Sequence, residues 1–514
     1  MPRQRLGPGS SLLDCAHPAP HPGPMAEESV TSILQTRGDE ITDGGLPVRL
    51  RGIGIAGWLN MENWITGYPG HEQGQREAVT SVLGRERADF FFERFCTHFF
   101  DDPDAALIGQ LGFNVVRIPV HYRLFEDDDR PFEIKESGFR HLDRAIALCG
   151  SHGIRTIIDL HSVPGWQNQD WHCDNPTPTT TFWQHRNFQD RVVNLWREIA
   201  TRYRHDARIA AYNPMNEPAD PTGTVVGPFF RRLVEQIRDV DPEHIIILEG
   251  NRFSHEFEML GESLPNVIYS FHDYPPPAFM QDSRYPGYTH LTQFWESTDG
   301  ETREYGAMRP GDSRDQYFDK SAVERGFFQR SEYMRRTRTP IFVGEFNIVF
   351  TGDPVSESER LTLLGDQLDI YFKNSASWAY WPYKDIGVCA PVNVHPDSSW
   401  MRRIRPVLEK KKRLGVDEWG GRRDQITAVM RPVEELFDRE FPDFQPFPFG
   451  RDFLIRRTIP EILFAGALQP EFGELFRNMT DDEIDDMMRS FRLENCTLRQ
   501  PLVDLLRGAC TRER

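Results

Sequence analysis

The runs Asn-Val-Val-Arg-Ile-Pro (residues 114–119) and Arg-Thr-Ile-Ile-Asp-Leu-His (residues 155–161) decide the fold. Both are short and rich in the β-branched residues that strands favour. Between them Phe139, Leu142, Ile146 and Cys149 recur at spacings of three and four, which places them on one stripe of a helix. Strand, crossover helix and strand make a parallel βαβ unit. Outward from this unit the alternation repeats. Further strands are expected at 51–57, 210–215, 244–248, 267–271, 341–344 and 377–381, with helices at 105–111 and 188–203 among them. Eight such strands predict an α/β chain folded as a closed (β/α)8 TIM barrel.

In that architecture the chemistry gathers where strands end. The second strand is expected to end in Arg117, the third in His161 and the fourth in Asn216-Glu217. Glu249 ends the fifth, His272-Asp-Tyr274 the sixth, Glu345 the seventh and Trp381 the eighth. Two glutamates on opposite strands suit acid and nucleophile work on a glycosidic bond, provided one holds a proton and the other stays ionised. Arg117 and Tyr274 can support an ionised Glu345 by charge and hydrogen bonding, which leaves Glu217 as the group with the raised pKa. Each glutamate alone also has a structural reading: Glu217 could cap the helix after Pro218, and Glu345 could be a buried partner of Arg117.

The words around these residues carry a resemblance. Leu-Arg-Gly-Ile-Gly-Ile-Ala-Gly-Trp-Leu-Asn-Met-Glu-Asn-Trp-Ile-Thr (50–66), Asn-Val-Val-Arg-Ile-Pro (114–119), Asp-Leu-His-Ser-Val-Pro-Gly-Trp-Gln-Asn (159–168), Met-Asn-Glu-Pro (215–218), His-Asp-Tyr (272–274) and Val-Gly-Glu-Phe (343–346) resemble glycoside hydrolase family 5, in that family's order. The resemblance runs from about residue 33 to 415. It implies a retaining mechanism in which Glu345 is the nucleophile and Glu217 the acid/base, with carboxyls about 5 Å apart. It further implies that Asn216 holds the sugar 2-hydroxyl, that Arg117 and Tyr274 orient Glu345, that His161 and His272 shape the donor subsite, and that Trp381 stacks on the sugar. Trp378, by alternation, belongs to the core.

Residues 51–66 look closest to the exo-β-1,3-glucanase group, in which the residue matching Glu62 closes the nonreducing end of the donor subsite. This implies exo-acting removal of a terminal β-glucose from a β-glucan or an intracellular β-glucoside or glycolipid; endo-action and transglycosylation on the same residues are the alternatives. Trp166 and Trp171-His172-Cys173-Asp174 depart from those glucanases, so a β-1,3 linkage is not implied. The stretch of about 60 residues after Tyr274 carries Tyr285, Tyr288, Phe294 and Trp295, which either form an aglycone subsite or staple the loop to the barrel.

Composition narrows the classes. Sixty basic against 78 acidic side chains give a net charge of −18, which argues against nucleic-acid binding. Seven scattered cysteines read as free thiols. The sequence shows neither a secretory signal nor a run apolar enough to span a bilayer, so a cytoplasmic location without a stable membrane anchor is expected. No cofactor and no metal site are expected: His255-Glu256 lacks a second histidine at the right spacing, and His172, Cys173 and Asp174 are neighbours on one loop. A catalytically silent carbohydrate-binding barrel is the reading from a different class.

The expected organisation is a Pro- and Gly-rich tail at 1–28, a barrel at 29–420 entered through a hairpin about Asp43-Gly44-Gly45, and a helical extension at 421–514. Trp400, Ile404, Val407 and Leu408 mark the last barrel helix, whose Arg402, Arg403, Arg405 and Lys410–Arg413 are expected to be solvated. Thr480-Asp-Asp-Glu483 has the form of a capping box.

Overall fold

The computed structural model describes residues 30, 32–279, 283–290, 315–416 and 426–512. Its centre is a closed barrel of eight parallel strands. These are β1 (Arg51–Gly54), β2 (Val115–His121), β3 (Arg155–Ser162), β4 (Ile209–Asn213), β5 (Ile245–Glu249), β6 (Val267–His272), β7 (Ile341–Glu345) and β8 (Ser377–Tyr380). Neighbours follow chain order, and β8 closes on β1 with Trp378 opposite Arg51. Each expected strand is present. β2 and β3 run further than expected, to His121 and Ser162, so Arg117 and His161 sit within strands and not at their ends. β4 stops at Asn213, so Asn216 and Glu217 lie just beyond it.

Side chains at alternate strand positions face the interior. Val115, Ile157, Ala211, Ile245, Ile247, Ile268, Phe342 and Ala379 fill its lower part together with Leu34, Ile41 and Leu50. Two residues further along the same rows the side chains turn polar, giving Arg117, Asp159, Asn213, Glu249 and Ser270. Leu34, Ile41 and Leu50 belong to or flank three short antiparallel strands, Gln35–Arg37, Glu40–Asp43 and Leu46–Val48, which close the amino end of the barrel. A single hairpin was expected; a second turn forms at Gly38, whose φ of 62° is easy only for a residue without a Cβ.

β7 breaks the alternation. Its register on β6 runs Phe342↔Ser270 and Val343↔Phe271, then skips to Glu345↔His272, leaving Gly344 as the extra residue of a bulge. A Cβ on Gly344 would meet Ser270 Oγ at 2.4 Å, so glycine is the residue that permits it. The bulge turns Glu345 inward.

Helices Arg140–Ser151, Arg186–Tyr203 and Val226–Arg238 cover the barrel with Leu142, Ile146, Cys149, Val192, Leu195, Ile199, Phe229 and Leu233. The C-terminal extension shares this core. Helices Ala465–Glu474, Asp481–Met488 and Gln500–Cys510 contribute Phe472, Met487, Met488, Leu502 and Leu506, Phe476 joins them just past the first, and Thr480 with Glu483 forms the expected capping box. Strand Cys496–Leu498 pairs antiparallel with Val392–Val394. The basic helix Ser399–Leu414 is therefore not simply solvated. Lys411 is buried and donates to the Tyr68 carbonyl at 2.7 Å, Lys410 pairs with Glu471 at 2.6 Å, and Arg403 donates to the Leu475 carbonyl at 2.6 Å. Trp378 lies in the core, edge-on to Phe113 and Phe346. The cysteines from Cys96 to Cys510 are free thiols. Among the described residues no helix is long and apolar enough to cross a membrane. The expected tail, Cys15, Phe294 and Trp295 lie outside the described residues.

Candidate active site

Arg117 organises the carboxyl end of the barrel. Fully buried, it donates from Nη1 to Glu345 Oε1 at 2.6 Å, from Nη2 to Asn216 Oδ1 at 2.7 Å and Glu249 Oε1 at 3.0 Å, and from Nε to Asn213 Oδ1 at 3.1 Å. Asp159 Oδ2 lies 3.1 Å away. A guanidinium is the one side chain with enough fixed donors to meet five acceptors from four strands at once. Burial opposes its charge, but the three carboxylates raise its pKa.

Glu345, 5% exposed, accepts from Arg117 on one oxygen and from the Tyr274 hydroxyl, 2.9 Å away, on the other. Glu217, 9% exposed, follows β4 with a left-handed φ of 44°. That conformation is uncommon for a side chain with a Cβ and is held here from both sides. Glu217 N–H donates to Glu249 Oε2 at 2.8 Å, and Asn168 Nδ2 donates to the Glu217 carbonyl at 2.9 Å. The Glu217 carboxyl faces His272, whose Nδ1 lies 2.6 Å from Oε1. Carboxylate oxygens of Glu217 and Glu345 and a ring nitrogen of His272 all lie within 4.8 Å of one another.

The two carboxyls sit in different fields. Burial drives Glu217 up to about 7 against the pull of His272, and Glu345 adds to the rise. Burial also works against Glu249, yet His272, Arg117 and the Glu217 N–H take it down to about 2. His272 loses solvation but is surrounded by Glu345, Glu249 and Glu217, which raise it well above the ordinary histidine value. His161 is driven down to about 3 by burial, and Asp159, 2.7 Å from its Nδ1, up to about 7 for the same reason.

The remaining expected residues converge here too. The Trp381 ring stacks on His161 at 5.3 Å and 11°, with the Arg117 guanidinium 5.5 Å from its centroid. A Cβ on Gly54 would meet Trp381 Cε3 at 2.5 Å, so β1 needs glycine there to let the indole in. Asn216 Nδ2 lies 3.3 Å from His161 Nε2. Glu62 is buried, accepts from Trp64 Nε1 at 2.9 Å, and keeps Oε1 without a hydrogen bond, 3.8 Å from His161 Nε2. Burial and the nearby Glu345 raise its pKa well above the carboxylate range.

Of the two readings of the stretch after Tyr274, Tyr285 follows the staple. Tyr285 does not face the site; it is buried and donates to Asp366 at 2.8 Å, stapling its segment to helix Pro354–Lys373. Tyr288 is 67% exposed on an antiparallel pair, Gly287–His290 with Asp315–Phe318, against Tyr317. Conversely, sequence reasoning missed Asn168 and His172 as site residues. His172 Nε2 lies 3.3 Å from Glu217 Oε2 and 2.8 Å from Asn168 Nδ2. Asn168 ends the 159–168 stretch that resembles the family, and the departure of the following loop from the exo-β-1,3-glucanase pattern hinted at His172. Asp159, Asn213 and Glu249 complete the Arg117 network; of these only Glu249 is visible in the sequence, as a strand end.

Glu217, His272 and Glu345 are also the three groups among the described residues close enough to share a cation. Glu345 already accepts from Arg117 and Tyr274, an arrangement suited to orienting a carboxylate toward an electrophilic carbon. A protonatable carboxyl and an oriented carboxylate at this separation match the roughly 5–5.5 Å of double displacement and leave no room for the water of an inverting mechanism.

Known proteins agree with this geometry. Residues 88–387 match the model of the family described as Cellulase (glycosyl hydrolase family 5). The chain is 38% identical to a beta-xylosidase of Phanerodontia chrysosporium, over 92% of this chain and 97% of that protein. It is 25% identical to Endoglucanase C of Acetivibrio thermocellus, over 63% and 90%, and 31% identical to a probable glucan 1,3-beta-glucosidase A of Aspergillus clavatus, over 39% and 49%. Eight strands in register, paired carboxyls at their ends and a family match across most of the barrel place the chain among the retaining carbohydrate hydrolases of glycosyl hydrolase family 5, to which it belongs.

Proposed function

We propose that the chain is an exo-acting β-glycosidase that removes one terminal sugar by double displacement, with Glu345 as nucleophile and Glu217 as acid/base. Glu345 attacks the anomeric carbon while Glu217 gives its proton to the leaving oxygen; water deprotonated by Glu217 then releases the sugar from Glu345. Arg117 and Tyr274 aim the nucleophile, Asn216 faces the 2-hydroxyl, His161, His272 and Trp381 shape the donor subsite, and Glu62 closes its far end. The observation that carries exo-action is Glu62: a buried carboxyl with one oxygen lacking a hydrogen bond, next to His161, is suited to receive hydroxyls of a terminal sugar. The relative aligned over 97% of its length and 92% of this chain is named a beta-xylosidase, which favours a β-xyloside as donor. The 50–66 stretch and the glucan 1,3-beta-glucosidase relatives support a β-glucoside as the second reading.

Chromophore release from a panel of aryl β-glycosides, followed by intact mass after a 2-deoxy-2-fluoro-β-glycosyl fluoride, tests this. Turnover of one sugar with a covalent adduct absent from Glu345→Gln is the expected result. Cleavage within long β-glucans without release of monosaccharide would overturn exo-action, and no turnover or adduct with any sugar or oligosaccharide would favour a silent barrel. Product analysis at high acceptor concentration separates hydrolysis from transglycosylation.

A further inference from the structure

We infer that His172 is a positioning residue that keeps the proton of Glu217 on Oε2, and that the C-terminal extension holds it there. The inference rests on Glu217 being the acid/base.

The tautomer of His172 follows from its neighbour. Asn168 Oδ1 accepts from Asp170 N–H at 2.9 Å, and Asn168 Nδ2 donates to the Glu217 carbonyl at 2.9 Å, so the amide cannot be turned around. The second hydrogen on Nδ2 then points at His172 Nε2, 2.8 Å away, which must present a lone pair. Glu217 Oε2 lies 3.3 Å from the same nitrogen. The two oxygens of Glu217 thus meet opposite partners: Oε1 faces His272 Nδ1, a donor, and Oε2 faces an acceptor. That lone pair already receives the Asn168 amide hydrogen, so a proton on Oε2 reaches it as the longer arm of a three-centre bond, whereas an ionised Oε2 would face it with no hydrogen between; the protonated carboxyl is the favoured form. The proton therefore resides on Oε2 before it passes to the leaving oxygen. Burial and the proximity of His161 and His272 keep His172 neutral, consistent with this arrangement. The charged or titratable groups facing the pair include His272, Glu249, Glu345, His161, Glu62 and Tyr274 from the barrel and its loops and Arg457 from the extension.

The loop is built to hold the imidazole still. Asn60 Nδ2 and Ser162 Oγ donate to the His172 carbonyl at 2.9 and 3.0 Å. Arg457, buried in helix Gly450–Thr458, donates to the Gln169 and Asn175 carbonyls on either side and lies 5.7 Å from the Trp171 ring centroid. Phe253 meets His172 edge-on at 6.0 Å and packs on Phe449 of the extension at 5.1 Å.

His172→Leu removes the acceptor, and His172→Gln restores one through its amide oxygen. Using whichever aryl β-glycoside the wild type turns over, His172→Leu should move the basic limb of kcat/KM to lower pH and slow substrates with poor leaving groups about 10- to 100-fold, sparing good ones. His172→Gln should recover most of both effects. A basic limb unmoved in His172→Leu overturns the inference. Histidine 15N spectra of the wild type give a second readout that needs no folded Leu variant: the signal absent from His172→Gln should show a neutral ring protonated on Nδ1, and a proton on Nε2 overturns the inference. Glu217→Ala run in parallel separates the failures. Azide rescue with a β-glycosyl azide product upholds Glu217 as acid/base, so that an unmoved limb counts against His172 alone; no rescue removes the reading on which the inference rests.

Discussion

Two buried regions, one inside the barrel and one on its outer helical layer, are built by different rules. Around Arg117, polar groups from five strands, its own included, meet within hydrogen-bond distance of one guanidinium. Around Trp400, the last barrel helix and the extension meet chiefly through rings: Phe476 stacks at 5.9 Å and 19°, Phe491 lies at 5.2 Å, and Phe91 and Phe95 close the seam, with polar bonds such as Trp400 N–H to Ser490 Oγ at its margin. The first region is specified by direction and charge, where one atom's change removes a function; the second is specified by volume, where many shapes of similar size suffice. Activity and stability should therefore come apart when the two are altered.

The sharpest break is Glu345→Gln, nearly isosteric, which should cut turnover by roughly four to six powers of ten while the melting curve stays in place. Unfolding in that variant would mean the Arg117 network is chiefly structural. Glu217→Ala should lower kcat on glycosides with poor leaving groups about 10²- to 10⁴-fold and spare good ones. Because Glu217 must carry its proton to act as acid and is raised to about 7, wild-type kcat/KM should fall as pH climbs past about 7, and a pH profile flat to about 9 would contradict the assignment. Phe491→Ala probes the other rule: it should cost about 3–5 kcal/mol of stability in denaturant titrations, yet leave kcat of the folded fraction within about twofold. A large loss of kcat there would show that the seam reaches the site. The smallest effect is expected for Tyr274→Phe, which deletes one donor to Glu345 and should slow turnover about 10- to 100-fold with little change in stability.

The same contrast explains what could be read before the fold was known. Strand ends are announced by where an apolar row turns polar, so Arg117, Glu217, Glu249 and Glu345 stood out, and the family's words fixed their partners. The stripe Phe139, Leu142, Ile146, Cys149 gave its helix for the same reason, periodicity. His172, Asn168 and Arg457 obey no period. Their meeting depends on a loop whose course is set by side-chain bonds to backbone carbonyls far apart in the chain, and such bonds leave no pattern in the sequence. Lys411 misled for a related reason: a basic run on an amphipathic helix reads as solvated unless the partner that covers it, here the segment ending at Tyr68, is already placed.

The bulge at Gly344 has a wider meaning for the strand that carries it. A strand is a two-phase code, inside and outside by turns, and Gly344 inserts half a cycle. Upstream, Phe342 points in and Val343 out; downstream, Glu345 points in and Phe346 out, among Tyr371, Trp378 and Tyr380. Were Gly344 kept but the strand paired one to one with β6, the last two would change places, sending a charge into the aromatic layer and a benzyl group into the path of the sugar. One parity error is thus penalised twice, and selection for a folded chain also guards the position of its proposed nucleophile.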